Sequence, residues 1–398
     1  MDRQPEPAAR TVLSVLTWAA FLACSWTWCI GMFLPALLLR DYGIWGFLVF
    51  AAPNVVGAAG MGWVLTTRQS AATLAFEHRR AVASFSTATL AFHVYWLCWI
   101  GTWAPTALAL DRTAVSLVIF PAIAVFLLFL AQRPYGLALL SAPLLVLSLG
   151  VFGLVLARTG LTLPTFTQQR PEPALLWLAP VCVFGFALCP YLDRTFLTAR
   201  AELPGRQARA AFSIGFGLFF LAMILLTLAY APMLLPLLGG TTAPFVVGVA
   251  LLAHLLLQAA FTVAAHVRCA ESRGSPDALR WGALLVAALV GVLVRVLPGH
   301  AGLDAGEVVY RLFMGLYGLV FPTYVWLVVI PARRGQAPPG SPQRRRLVRV
   351  FAAAVGLALP MFWMGFIERR EVFLAPGLAI VLLARLFTTG AGKSASMA

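Results

Sequence analysis

Residues 182–200 read CVFGFALCPYLDRTFLTAR, an apolar stretch that contains Gly185 and Pro190 and then ends in charged residues. A plain membrane helix needs neither residue, since glycine is a poor helix former and proline removes a backbone hydrogen bond. An interruption in lipid leaves N–H and C=O groups unpaired, which is costly unless protein, ligand or water binds them. We therefore interpret this stretch as an interrupted helix at the centre of a membrane protein.

Composition places the chain among polytopic membrane proteins. Of its 398 residues, 61% are hydrophobic and 11% are charged, and the mean hydropathy is +0.89, whereas soluble domains carry about 25% charged residues. The formal net charge of +15 does not indicate nucleic acid, because the arginines flank apolar segments. The predicted partners are the lipid bilayer and a small-molecule solute. The six cysteines form no CxxC pair, and we predict no metal site and no cofactor.

Twelve apolar segments are long enough to cross a bilayer, which takes about 20 residues. They lie at residues 11–39, 43–66, 81–104, 113–131, 135–158, 174–192, 210–238, 244–267, 279–298, 307–331, 348–367 and 372–388. The longest two, 11–39 and 210–238, exceed a single crossing and are predicted to tilt, bend or break. The predicted fold is all-α and polytopic.

The distribution of basic residues predicts the orientation. With both termini in the cytoplasm, most of the 29 Lys and Arg residues fall on the cytoplasmic side, in agreement with the positive-inside rule. We predict a multi-pass protein of the cell (inner or plasma) membrane. Its predicted parts are a cytoplasmic tail (1–10), a five-helix repeat (11–170), a second, inverted five-helix repeat (171–331), a basic cytoplasmic linker (332–347), two further transmembrane helices (348–388) and a cytoplasmic tail (389–398).

The first ten spans divide into two sets of five, and each set opens with a disturbed span. The first contains Gly31 and Pro35 after the polar residues Ser25 and Thr27. The disturbing residues of the second are Pro180, Gly185 and Pro190. Because five is odd, the second set crosses the bilayer in the opposite sense. Interrupted spans at corresponding positions of inverted halves indicate a binding site near the midplane.

Two segments carry a resemblance to a known family. RTFLTAR (194–200) resembles the Q-R-x-L-[SA]-A-[KR] segment of sodium:solute symporters, and CIGMFLPALLLRDYGIWGF (29–47) is similar to that family's first interrupted helix and the start of its second. The resemblance implies the LeuT-type five-plus-five fold, with solute between the first, sixth, third and eighth core helices. Asp193 stands where the family usually has Gln, and no helix precedes the core. The eighth span offers Thr262 without the adjacent Ser/Thr pair, so the coupling ion, proton or sodium, stays open.

The eighth span carries a polar stripe. Its residues His254, Gln258, Thr262 and His266 recur at intervals of four, which places them on one helix face. Polar side chains at this depth usually face the bundle interior. For His254 and Gln258 we consider both a pathway role and structural hydrogen bonding, and we predict that His266, beside Arg268, is interfacial.

Further polar residues lie in other spans. His93 and Tyr95 of the third span are candidates, and the family resemblance brings His93 near His254 as a proton route. Asp193 is predicted to form an interfacial pair with Arg194 or to face an inner vestibule. The predicted solute or ion pathway comprises Ser25, Thr27, Gly31, His93, Tyr95, Gly185, Asp193, His254, Gln258 and Thr262, with no catalytic or metal-ligating residue.

Secondary roles are predicted for three other groups. Glu307 and Arg311 are spaced as an i, i+4 ion pair. Asn54 is predicted to brace the second helix. The tyrosines that recur every seven residues in the tenth span are predicted to pack: Tyr310, Tyr317 and Tyr324.

Three functions are compatible with this sequence. The first is a secondary transporter, a symporter-like permease that moves a small polar or organic solute by alternating access. The second is a multi-pass membrane transferase, with Arg40, Asp41 and His254 as its polar residues, although no H-x4-D acyltransferase pattern is present. The third is a transporter-like sensor or assembly protein that does not transport.

Overall fold

The computed structural model describes residues 8–160, 168–235, 242–270, 277–332 and 338–388. The predicted tail at 389–398, most of the tail at 1–10 and part of the linker at 332–347 lie outside the described residues. Within the described ranges the backbone is helical apart from turns, short connections and one isolated bridge between His300 and Leu303.

The α-helices follow one another without any intervening sheet in the described residues. They are α1 (Ala8–Trp26), α2 (Cys29–Tyr42), α3 (Ile44–Val64), α4 (Arg68–Glu77), α5 (Arg79–Gly101), α6 (Ala104–Ala107), α7 (Arg112–Ala131), α8 (Pro134–Thr159), α9 (Leu175–Leu188), α10 (Arg194–Glu202), α11 (Gly205–Ile214), α12 (Leu221–Leu234), α13 (Phe245–Ala270), α14 (Asp277–Leu293), α15 (Ala305–Gly315), α16 (Phe321–Tyr324), α17 (Pro342–Phe366) and α18 (Leu374–Leu383).

Twelve helical segments of the described chain are long and apolar enough to span a membrane. Each overlaps one predicted span, so the prediction of an all-α polytopic membrane protein is confirmed. In chain order, span 1 is α1, continued by α2; spans 2 to 5 are α3, α5, α7 and α8; span 6 is α9 with the 3₁₀ turn to Leu192; span 7 runs from α11 to α12; spans 8 and 9 are α13 and α14; span 10 runs from α15 to Val329; spans 11 and 12 are α17 and α18.

Span 1 is interrupted a few residues before the predicted position. Helix α1 ends at Trp26, Trp28 is extended, and α2 begins at Cys29. The predicted interruption at Gly31 and Pro35 is therefore wrong in detail, since α2 runs through both. Proline at position 35 cannot bond the carbonyl group four residues earlier, and that carbonyl, of Gly31, accepts a hydrogen bond from Thr227 Oγ1 at 3.1 Å.

Span 6 is interrupted at Pro190, as predicted, but not at Pro180 or Gly185. Helix α9 runs through the latter two and gives way to a 3₁₀ turn at Cys189–Leu192. Asp193 then caps α10, because its Oδ1 accepts from the backbone N–H of Thr195 at 2.7 Å. Asp193 is thus the residue that starts a new helix.

Gly185 serves close packing. A Cβ atom at this position would lie 2.8 Å from the carbonyl oxygen of Tyr317, whereas a Cβ at Gly31 would meet Phe220 at an ordinary 3.5 Å. We expect Gly185→Ala to lower the free energy of unfolding by about 1–3 kcal/mol, since the backbone must move. The matched Gly31→Ala should be neutral or stabilising by up to about 1 kcal/mol. Denaturant titration in mixed micelles checks both, and equal losses would contradict this view of Gly185.

The spans pack in related pairs. Span 4 packs against span 8 and span 9 against span 3; span 2 against span 6 and span 7 against span 1; span 1 against span 5 and span 6 against span 10. Spans 4 and 9 lie at the periphery, with 22% and 17% of their residues buried, and spans 3 and 8 are central, with 56% each. In each of these three comparisons, the second contact is obtained from the first by replacing each span with the span five positions earlier or later in the chain.

Candidate functional site

The two interruptions meet inside the bundle. The hydroxyl oxygens of Ser25, in the last turn of α1, and Thr195, in the first turn of α10, lie 3.2 Å apart. The rings of Trp26 and Phe196 pack with their centroids 4.8 Å apart. The end of α1 therefore lies against the start of α10. We define the central cluster as the residues around this junction: Ser25, Trp28, Ser86, Thr89, His93, Asp193, Thr195, His266 and Tyr317.

Hydroxyl groups from distant spans bind the carbonyl groups around the first interruption. Thr262 Oγ1 of span 8 donates to the carbonyl oxygen of Cys24 at 3.4 Å. The Tyr310 hydroxyl of span 10 donates to that of Cys29 at 3.1 Å. Backbone at membrane depth tolerates such an interruption only when protein or water supplies these partners. Tyr310, predicted only to pack, therefore also stabilises the interruption.

Trp28 fills the space between the interruptions. It is 2% exposed, and its indole N–H donates to the carbonyl oxygen of Ser25. Its ring centroid lies 5.5 Å from each of the rings of Phe85, His266 and Tyr317. Aromatic contacts of this kind add to the stabilisation that burial provides. Trp28 thus joins span 1 to spans 3, 8 and 10.

A cavity of about 20 Å³ remains beside Trp28, roughly the space that one water molecule needs. Its lining comes from spans 1, 2, 6 and 10 and consists of Trp26, Trp28, Ile30, Gly31, Asn54, Phe186, Cys189 and Tyr317. Asn54 braces this wall, since its Oδ1 accepts from the Trp26 indole N–H at 2.7 Å. The space beside Trp28 is therefore too small for a solute larger than water in this conformation.

His93 is part of this junction and Tyr95 is not. The imidazole Nδ1 of His93 lies 2.8 Å from the carbonyl oxygen of Thr89, and its Nε2 accepts from the backbone N–H of Cys29 at 3.4 Å. These bonds assign the proton of the neutral ring to Nδ1. The Tyr95 hydroxyl instead donates to the carbonyl oxygen of Gly306 in α15, which places Tyr95 in the contact between spans 3 and 10.

His266, whose predicted position is interfacial because Arg268 is nearby, has its side chain turned into the protein. It is fully buried against Trp28, and its Nδ1 lies 3.3 Å from the Ser86 hydroxyl oxygen. The carboxylate of Asp193, also fully buried, approaches its Nε2 at 3.8 Å. Asp193, for which the sequence leaves open an interfacial pair or an inner vestibule, likewise has its side chain turned into the protein.

The polar stripe of span 8 faces the bundle interior along its whole length, as predicted. His254 Nδ1 lies 3.1 Å from the Ser148 hydroxyl oxygen, and Gln258 Nε2 donates to the same oxygen at 2.8 Å. His254 therefore belongs to the contact between spans 8 and 5. The histidine that shares the Trp28 ring with His93 is His266, with centroids 5.5 and 6.1 Å from Trp28, so the predicted pairing of His93 with His254 is wrong.

A buried charge network closes the predicted outer end between α2 and α15. The predicted i, i+4 pair is confirmed, with Arg311 Nη2 at 2.8 Å from Glu307 Oε1. Arg40 binds both oxygens of Glu307, at 2.8 and 2.7 Å. The carboxylate of Asp41 forms ion pairs with three guanidinium groups, with Nη2–Oδ distances of 2.8 Å to Arg40, 2.6 Å to Arg311 and 3.3 Å to Arg369. Arginines bound bidentately to carboxylates make strong, directional contacts.

A second ion pair extends this network to span 12. Arg170 Nη2 lies 2.7 Å from Glu371 Oε2, and the Tyr42 hydroxyl donates to Glu371 Oε1 at 2.7 Å. The backbone N–H of Arg170 also donates to the carbonyl oxygen of Asp41 at 2.8 Å. The outer network therefore links both sets of five spans and the C-terminal pair.

Several residues of the site escaped the sequence analysis. Ser86 and Ser148 look unremarkable because a serine in a membrane helix usually bonds its own backbone. Among 12 tryptophans, nothing marks Trp28 as the central one. The hydroxyl oxygen of Thr27, the remaining predicted residue, lies 2.8 Å from the carbonyl oxygen of Ala23 in its own span and 2.7 Å from the Met223 sulfur in span 7.

Comparison of the chain with protein-family models, with curated proteins and with solved structures finds no match.

Proposed function

We propose that the protein is a secondary transporter that moves a small polar or organic solute by alternating access, with the solute bound where the two interruptions meet. The contact of Ser25 with Thr195, at 3.2 Å, carries this proposal. It brings together two interrupted helices, and irregular backbone at membrane depth is the usual basis of a transporter site. The hydroxyl and indole groups that now bind the freed carbonyls are those that a polar solute would replace.

The packing of the spans supports an inverted five-plus-five repeat. If each span of the first set is exchanged for the span at the same place in the second set, every contact in three pairs turns into its partner. These pairs of contacts are 4–8 with 9–3, 2–6 with 7–1, and 1–5 with 6–10. Spans 4 and 9 are peripheral alike, and spans 3 and 8 central alike. This is the relation expected of the LeuT-type fold, which the resemblance to sodium:solute symporters implies. Such repeats allow one set of helices to rock against another around a fixed site.

The closed centre corresponds to the occluded stage of such a cycle. Trp28 and the network around Glu307 and Asp41 connect span 1 to span 10, so a path to the predicted outer side requires these contacts to separate. The π-helical turns Gly215–Phe220, Leu316–Val320 and Val325–Val329 lie in spans 7 and 10. Turns of this kind often occur at functional sites, and two of them contact span 1 through Phe220 and Tyr317.

The test is uptake into proteoliposomes from a panel of radiolabelled solutes, with binding measured in micelles. We expect saturable uptake of at least one solute, and a roughly tenfold loss of apparent affinity in Ser25→Ala, because one hydrogen bond contributes about 1 kcal/mol or slightly more. The matched control is Ser116→Ala, since Ser116 is exposed and its hydroxyl donates to the carbonyl oxygen of Arg112 in its own helix. Absence of saturable uptake and binding would contradict the proposal.

A sensor or assembly protein with a transporter-like fold is the second candidate. The observation in its favour is the small central cavity, about 20 Å³, filled on one side by Trp28. Saturable solute binding without uptake would favour a sensor. The transferase hypothesis has less support, because Arg40 and Asp41 are engaged in the charge network and His254 bonds Ser148. Turnover of a lipid-linked donor would favour this hypothesis.

A further inference from the structure

Two buried titratable groups face each other at the junction of α1, α10 and α13. The distance between Asp193 Oδ2 and His266 Nε2 is 3.8 Å, slightly too long for a hydrogen bond. Among the described residues, neither atom has a hydrogen-bond partner, and both side chains are fully buried. Buried polar atoms are almost always paired, so this facing arrangement calls for an explanation.

The other atoms of both groups are engaged. Asp193 Oδ1 accepts from the Thr195 hydroxyl at 2.7 Å and from the N–H groups at the start of α10. His266 Nδ1 lies 3.3 Å from the Ser86 hydroxyl oxygen. These bonds hold the two side chains in place from opposite sides. Each group therefore turns its one free atom toward the other.

The surroundings offer little other charge to the carboxylate. Among the described residues, His266 is the one basic side chain within 4 Å of it. Arg194, next in the chain, donates through Nε to the carbonyl oxygen of Cys269 at 2.8 Å. The other titratable groups facing the pair are Cys189 on the 3₁₀ turn, Cys269 on α13, His93 on α5 and Tyr317 in span 10.

We propose that Asp193 and His266 form a proton-binding site that holds one proton between them, and that, given the proposed transport function, this proton is the coupling ion. With one proton the pair is neutral overall, either as carboxylic acid and imidazole or as carboxylate and imidazolium. Loss of the proton to water leaves an uncompensated buried anion, which is strongly unfavourable. The proton therefore leaves when α1 and α10 separate and water enters. The two groups titrate as one unit.

The site is connected to Trp28 on two sides. The Trp28 ring contacts His266 directly, with centroids 5.5 Å apart and the ring planes at 68°, within the distance at which a cation and an indole ring interact. The Trp28 indole N–H also binds the carbonyl of Ser25, whose hydroxyl oxygen lies 3.2 Å from that of Thr195, the residue that donates to Asp193. The bound proton therefore stabilises the closed position of Trp28, and loss of the proton makes this position less stable.

Infrared difference spectroscopy of the purified protein across a pH titration tests proton binding without any solute. We expect carboxyl and imidazole bands to change together at one midpoint, and Asp193→Asn and His266→Gln each to abolish this joint change. Asp111→Asn is the control, since Asp111 caps the exposed start of α7. Where Asp193→Asn does not fold, His266→Gln alone gives the same test. A spectrum that neither variant alters, or bands with separate midpoints, would overturn the proposal.

Uptake driven by a pH gradient tests the coupling. A gradient of one pH unit supports up to about tenfold accumulation of solute at one proton per solute. We expect the full-length protein to show this accumulation, and Asp193→Asn and His266→Gln to lose it. Uptake that the gradient does not drive, or gradient-driven uptake that both variants retain, would refute proton coupling. Proton binding in the infrared titration without any solute uptake would refute the proposed transport function and leave the proton site standing.

Discussion

Replacing Glu307 by glutamine is expected to lower the free energy of unfolding by about 3–5 kcal/mol, the cost of removing one partner from a buried ion pair. Glu307 is 3% exposed and receives both Arg40 and Arg311. Glutamine keeps the shape of the side chain but not the charge. Two buried guanidinium groups are then left with Asp41 as their shared carboxylate, which also receives Arg369.

Denaturant titration in mixed micelles measures this loss, and Glu368→Gln is the matched control. Hydrogen bonds from His300 and Trp363 lower the pKa of Glu368, so this carboxylate is also ionised at neutral pH. Its pair with His300 is solvent-accessible, with side chains 51% and 28% exposed, and exposed ion pairs contribute little and are screened by salt. We expect Glu368→Gln to be much milder. Equal effects would show that the outer network does not stabilise the fold.

The number of spans could be predicted because length and hydropathy decide it. A run of about 20 apolar residues is unfavourable in water and long enough to cross a bilayer. Such a run can therefore be identified from the local sequence alone. The same holds for the orientation of the stripe from His254 to His266, since a spacing of four fixes one helix face. For Glu307 and Arg311, the i, i+4 spacing was sufficient to predict the ion pair, because both residues lie on one helix.

The positions of the interruptions depend on partners that the local sequence does not contain. Pro35 leaves the carbonyl of Gly31 unpaired, yet the helix continues because Thr227, 196 residues away, binds it. Arg40 meets Glu307 over a separation of 267 residues. Such contacts are determined by tertiary packing, which propensity at a single position does not report.

His266 shows why adjacency along the chain misleads. Arg268 has a long side chain that reaches a loop, with Nε donating to the carbonyl oxygen of Gln132 at 2.7 Å. Side chains two residues apart on an α-helix point in directions that differ by about 200° around the helix axis. His266 therefore points away from the side of Arg268 and into the bundle. The stripe periodicity was the better guide to this residue than the neighbouring charge.

Replacing Trp28 by alanine is expected to destabilise the protein by about 3–5 kcal/mol, the usual range for removing a large buried aromatic side chain. The substitution should alter the site as well as the fold. The vacated space joins the existing cavity of about 20 Å³, and the carbonyl of Ser25 loses its indole donor. We expect solute binding to change by at least tenfold, because about 1.4 kcal/mol of altered contact is sufficient.

Trp96→Ala separates this effect from a general loss of stability. Trp96 is fully buried in span 3 and packs against Phe33 at a centroid distance of 6.5 Å, outside the central cluster. Both variants remove the same side chain, so their free energies of unfolding should fall by similar amounts, while only Trp28→Ala should alter binding in micelles. If both variants bind alike, Trp28 is ordinary core. If Trp28→Ala alone changes binding, the Trp28 ring and its hydrogen bond to Ser25 belong to the solute site.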